Sequence, residues 1–208
     1  MRFPLVILAL IGSLARGQVI SDESIDQRRR GLTVRCNGRV EQRTIDFEKA
    51  RGGDLFRSGD TPRLLPDGVS VVAKRFISDR QLPPTTNDAV VIDSHDYYHE
   101  DGLVLAINNN NDRSDPSPSR FGGDIKFNFG SPVLGIDKIR LMGIQKSEKS
   151  FITARTGNNG KLGKVVIPSG EVVDLLLGKK FLDVKTLSIR LRASAVVARV
   201  VYSVCIRK

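Results

Sequence analysis

Apolar and polar residues alternate with a period of two from Val40 to the end of the chain, and no stretch sustains the 3.6-residue apolar repeat of a helix beyond a turn or two. The alternation predicts strands over 44–47, 68–76, 89–92, 102–108, 123–129, 136–144, 150–156, 163–168, 172–177, 186–193 and 196–205. Turn residues punctuate them at Pro66-Asp67-Gly68, Leu82-Pro83-Pro84, Gly130-Ser131-Pro132, Gly157-Asn158-Asn159-Gly160 and Pro168-Ser169-Gly170. Many short strands at this spacing predict an all-β fold, an antiparallel sandwich or barrel.

Alternation also assigns faces, because successive side chains on a strand point to opposite sides. Ile125, Phe127 and Phe129 are expected in the core, with Asp124, Lys126 and Asn128 outside. Leu187, Ile189 and Leu191 are likewise inward, leaving Ser188, Arg190 and Arg192 outward. Between two strands lies a polar run, Asn108 to Ser119, long enough that a loop there is either functional or disordered.

The start of the chain changes the setting. Met1-Arg2, an apolar run over 3–11 and then Gly12-Ser13-Leu14-Ala15-Arg16-Gly17 match the three regions of a secretory signal peptide, with cleavage expected near Gly17. That apolar run is too short to span a bilayer, and no later stretch approaches the roughly 18 unbroken apolar residues a membrane helix needs. Residues 18–30 are polar, cannot bury enough surface to offset their ordering, and read as a flexible lead or propeptide. Their Arg28-Arg29-Arg30 triplet suits either a basic-specific protease or a solvated tail. One domain over 31–208 remains, of ordinary size.

An exported chain with two cysteines is expected to pair them. A Cys36–Cys205 bridge would close almost the whole domain, worth on the order of 4 to 5 kcal/mol in the chain-entropy model. The net charge of +10 falls to +8 once Arg2 and Arg16 leave with the signal, so the surface favours polyanions. Export and the absence of Trp argue against nucleic acid as a partner. The remaining partner expected is an acidic polysaccharide or another extracellular matrix polymer.

The order of the motifs Thr44-Ile-Asp-Phe-Glu48, Pro66-Asp-Gly-Val-Ser-Val-Val-Ala73, Ala89-Val-Val-Ile-Asp-Ser94, Gly102-Leu-Val-Leu-Ala-Ile107, Gly122-Gly-Asp-Ile-Lys-Phe-Asn-Phe-Gly-Ser-Pro-Val133 and Ile136-Asp-Lys-Ile-Arg-Leu-Met142 resembles that of galactose-binding-like jelly-roll domains of exported surface and matrix proteins. The resemblance spans 44 to about 204. It implies a jelly-roll-like β-sandwich and a mostly non-catalytic role, binding sugars or calcium. Such domains often carry an acid after a small-residue turn near the last strand. Arg192-Ala-Ser-Ala-Val-Val-Ala198 has the small turn and no acid, which puts a carried-over calcium ligand there in doubt.

Three groups of residues could carry chemistry. The segment Asp93-Ser-His-Asp-Tyr-Tyr-His-Glu-Asp101 offers His95 and His99 to a transition metal, carboxylates such as Asp93 and Asp96 to calcium, and Tyr97 or Tyr98 to a sugar ring in a lectin-like site. A solvated acidic loop explains the same residues. Asp112 and Asp115, with Asp124 beyond, could complete one calcium site with that segment, but lack the acid spacing of a helix-loop-helix calcium motif. Lys185, Arg190, Arg192 and Arg199, with the terminal Arg207-Lys208, form the candidate polyanion-binding patch, since the arginine fork suits sulfate and carboxylate. Basic residues on an outward strand face also keep an edge soluble. With both cysteines committed and no catalytic motif around the histidines, a hydrolase is disfavoured and a non-enzymatic binding protein is expected.

Overall fold

A computed structural model describes residues 36–50, 52, 55–56, 65–77, 85–87, 89–96, 102–109, 117–145 and 150–207. The expected signal peptide over 1–17 and the expected flexible lead or propeptide over 18–30 lie outside the described residues. Twelve strands follow one another: β1 (Gly38–Ile45), β2 (Leu55–Phe56), β3 (Ser70–Arg75), β4 (Thr85–Asn87), β5 (Ala89–Asp93), β6 (Leu103–Ile107), β7 (Gly123–Ile144), β8 (Phe151–Arg155), β9 (Lys161–Val166), β10 (Gly170–Leu176), β11 (Leu182–Leu191) and β12 (Val196–Arg207). Among the described residues the helical content is limited to single 3-10 turns.

Every pairing is antiparallel, and the fold is the all-β sandwich expected. One layer runs β4-β3-β7-β11-β8-β9 and uses the first part of β7. The other runs β2-β5-β6-β12-β7-β10, with β1 alongside the end of β12, and uses the last part of β7. The 22 residues of β7 are therefore the spine of the molecule. Along one of its edges β12 is followed by β3, and along the other β10 is followed by β11.

This spine corrects the expected turn at Gly130-Ser131-Pro132, which was to separate two strands. Pairing with β12 ends at Gly135 and pairing with β3 starts at Asn128, so the stretch between occupies a gap in that edge. Proline has no amide hydrogen to give a ladder, and a gap in the ladder is where a strand tolerates one. The register to β11 also slips there, between Val184 and Thr186. Strands β2 and β4 escaped sequence reading because segments of two or three residues are too short to show alternation.

The inward residues of both layers meet in one core. Val71, Ile125, Phe127, Leu187, Ile189 and Ile152 from one layer and Val91, Leu105, Ile139, Leu141, Val197 and Tyr202 from the other are all fully buried. At roughly 1.5–3 kcal/mol for each large apolar side chain, this burial is the main term holding the layers together. The expected inward sets Ile125, Phe127, Phe129 and Leu187, Ile189, Leu191 are both confirmed. Cys36 and Cys205 are joined as expected, tying the chain before β1 to β12.

Candidate polyanion-binding sheet face

The outward residues of β3, β7, β11, β8 and β9 form three rows across the strands, fixed by register. The first is Ser70, Asn128, Thr186, Arg155 and, past a register shift between β8 and β9, Lys161. The second is Val72, Lys126, Ser188, Thr153 and Lys164. The third is Lys74, Asp124, Arg190, Phe151 and Val166. Lys74, Lys126, Arg155, Lys161, Lys164 and Arg190 thus share one face with a single carboxylate in these rows, Asp124.

That carboxylate is already engaged. Arg190 Nε donates to Asp124 Oδ1 at 2.7 Å and Nη2 donates to Oδ2 at 2.9 Å, a two-pronged pair across adjacent strands. Hydrogen bonding to Asp124 raises the Arg190 pKa, against the opposing effect of burial, so this guanidinium is permanently charged. It also lies 5.2 Å from the Phe76 ring centroid and 5.1 Å from that of Phe151. Arg192 stacks on Phe76 at 4.6 Å and Lys164 on Phe151 at 3.9 Å. Cations and rings therefore alternate as Arg192, Phe76, Arg190, Phe151, Lys164, each pair worth about 0.5–1 kcal/mol where exposed.

Of the four basic residues expected to form the patch, the structure brings two together. Arg190 and Arg192 share the face, whereas Lys185 turns to the slip between β7 and β11, where its Nζ donates to the Gly130 carbonyl at 2.5 Å. Arg199 is on β12, in the other layer, in register with Arg140 of β7. Arg207 ends β12 in that second layer, and Lys208 lies outside the described residues. Sequence reading missed Lys74, Lys126, Arg155, Lys161 and Lys164 as members of the patch. Lys126 was already assigned outward, but only cross-strand pairing reveals that Lys164 lies in its row.

The acidic segment is partly visible. Asp93 ends β5, exposed, and its Oδ1 accepts the His95 backbone N–H at 2.9 Å, an ordinary local turn contact. The Ser94 N–H donates to the Gly102 carbonyl at 2.7 Å and closes the base of the loop. Asp96 ends a 3-10 turn over Ser94–Asp96. Tyr97, Tyr98, His99, Glu100, Asp101, Asp112 and Asp115 lie outside the described residues. Among the described residues no group of three His, Cys, Asp or Glu side chains could hold a metal, and both Asp124 oxygens are held by Arg190.

A groove of about 1130 Å³ opens at the gap in the β7 edge, lined by Gly130–Leu134 and by Val204, Cys205 and Ile206 of β12. At one end Arg43 pairs with Asp67, which also accepts a hydrogen bond from the Tyr202 hydroxyl at 2.6 Å. Burial pushes the Tyr202 phenol up to about 12, with Arg43 pulling the other way. Because Arg43 and Asp67 neutralise each other, the groove lacks the charge excess of the sheet face.

No family model and no curated protein sequence matches the chain. Solved structures it is similar to include a family 29 carbohydrate binding module at 13% identity and TM-score 0.38, over 79% of this chain and 89% of that one. Another is the K2 cleaved adhesin domain of Lys-gingipain, at 10% identity and TM-score 0.39, over 78% and 99%. A mutant of the lectin binding domain of lectinolysin, complexed with Lewis b, overlaps at 9% identity and TM-score 0.32, over 50% and 71%. At these identities and scores the overlaps do not assign a ligand.

Proposed function

We propose that this chain is an exported, non-enzymatic matrix or surface module that binds acidic polysaccharide along the outer face of β3, β7, β11, β8 and β9. One observation carries the reading: register gathers Lys74, Lys126, Arg155, Lys161 and Lys164 around a floor of Ser188, Thr153 and Asn128, while the single carboxylate of the rows is held by Arg190. Cations supply long-range attraction for sulfate or uronate groups, and hydroxyl and amide side chains supply short-range partners for sugar hydroxyls. Rigid strands present both, which limits the ordering cost of binding. Calcium has no part in this reading.

The test is a matched pair of polymers, one sulfated and the same polymer after desulfation, titrated against the intact protein at low and moderate salt. Binding of the sulfated form that weakens with salt is expected. Equal binding of the desulfated form would remove the proposal and favour a neutral-sugar site.

A further inference from the structure

Resting on that reading, we infer that the acidic polymer crosses the strands rather than following them, along the row Lys126, Ser188, Thr153 and Lys164, with one anionic group at each lysine. The three rows are not equivalent. The first has its cations, Arg155 and Lys161, side by side at one end only, and Arg155 already donates to the Asn159 carbonyl at 3.4 Å. In the third, Asp124 stands between Lys74 and Arg190, and the row then ends in Phe151 and in Val166, which is 67% exposed. Only the second row has a cation on each side of a hydroxyl pair, with exposed lysines at both positions and no carboxylate within it.

Geometry then sets the ligand. Lys126, Ser188, Thr153 and Lys164 lie on four neighbouring strands, so three steps of about 4.8 Å place the lysine backbones about 14 Å apart. The class of ligand is a linear saccharide with anionic groups separated by about that distance and hydroxyls between them. Travel along a strand would instead take an anion from Lys126 directly to Asp124 or Asn128, the outward residues on either side.

The arginines expected to contact the ligand take a different role. Arg190 is spent on Asp124 and on the Phe76 and Phe151 rings, and Phe151 also carries the Lys164 ammonium. Arg190 is thus a positioning residue that braces Phe151 and, through it, Lys164.

The experiment compares saccharides of equal length bearing sulfates either at both ends, about 14 Å apart, or at one end only. It uses the intact protein and the variants Lys126→Gln, Lys164→Gln and Arg199→Gln. About a fivefold advantage for the doubly sulfated form is expected, abolished by either lysine variant and untouched by Arg199→Gln. Each lysine variant should weaken polymer binding about fivefold, the usual effect of one lysine at an anionic surface. Salt-sensitive polymer binding with no such advantage, or an equal loss in Arg199→Gln, would overturn the crossing geometry and leave the functional reading standing. Failure of the unaltered protein to bind the acidic polymer at all would instead remove the functional reading beneath it.

Discussion

Replacing Tyr202 by Phe removes one oxygen from the core and nothing else, which makes its effect calculable. The ring packs 5.2 Å from that of Phe129, and its hydroxyl donates to the Asp67 carboxylate at 2.6 Å. A hydrogen bond to a charged group contributes about 1.5–3 kcal/mol. Asp67 keeps Arg43 as a partner in the variant, so the loss should fall near the lower end, about 2 kcal/mol at pH 7. For a chain of this length that corresponds to a fall in Tm of roughly 4–8 °C. A second signature is alkaline. The folded phenol ionises at about 12, against an ordinary value near 10, so the folded state retains a proton that the unfolded state gives up. The contribution is complete below pH 10 and is lost as pH rises from 10 to 12, by on the order of 2–3 kcal/mol. Urea unfolding of both proteins from pH 7 to 12 checks this: the stability difference should be largest below pH 10 and shrink above it. A difference that stays constant across that range would refute the burial that raises the Tyr202 phenol, and a loss well under about 1 kcal/mol at pH 7 would refute its hydrogen bond to Asp67.

Other expectations follow from the same structure. Serine at both Cys36 and Cys205 opens a loop with a sequence separation of 169 and should cost up to about 5 kcal/mol, read from denaturant midpoints. Gly123→Ala should prevent folding, because φ there is +156° and an added Cβ would be driven into the Lys74 carbonyl; soluble yield and circular dichroism measure it. Phe127→Ala, in the fully buried centre of β7, should lose about 3–5 kcal/mol by the same unfolding assay. Asp124→Asn removes the charge facing Arg190 and should strengthen binding of a sulfated polymer severalfold at low salt; unchanged binding would contradict the excess positive charge of this face as the source of affinity.

Much of the architecture was legible from period-two alternation, because a strand with one buried face must alternate. Burial of Ile125, Phe127 and Phe129 with Asp124 and Lys126 outside follows from that rule alone. The continuity of β7 was not legible. Gly130-Ser131-Pro132 carries a local turn signal, and only the gap between β12 and β3 lets a strand run through it. For the site, proximity in sequence misled where register decided. Arg199 follows Arg190 and Arg192 closely along the chain yet belongs to the other layer, while Lys164 joins Lys126 through two intervening strands. The groove beside Asp67 and Tyr202 draws on residues from four distant stretches, with no local motif to announce them.

The claim that a basic sheet face binds acidic polysaccharide is tested most directly by the affinity for one sulfated polymer across a salt series, in the unaltered protein and in Lys126→Glu/Lys164→Glu. Affinity of the unaltered protein should fall steadily as salt rises, since exposed charges are screened within about 10 Å at 0.1 M. The charge-reversed protein should bind weakly at every salt concentration, with a much shallower dependence. Matching affinities and slopes for the two proteins would contradict the account.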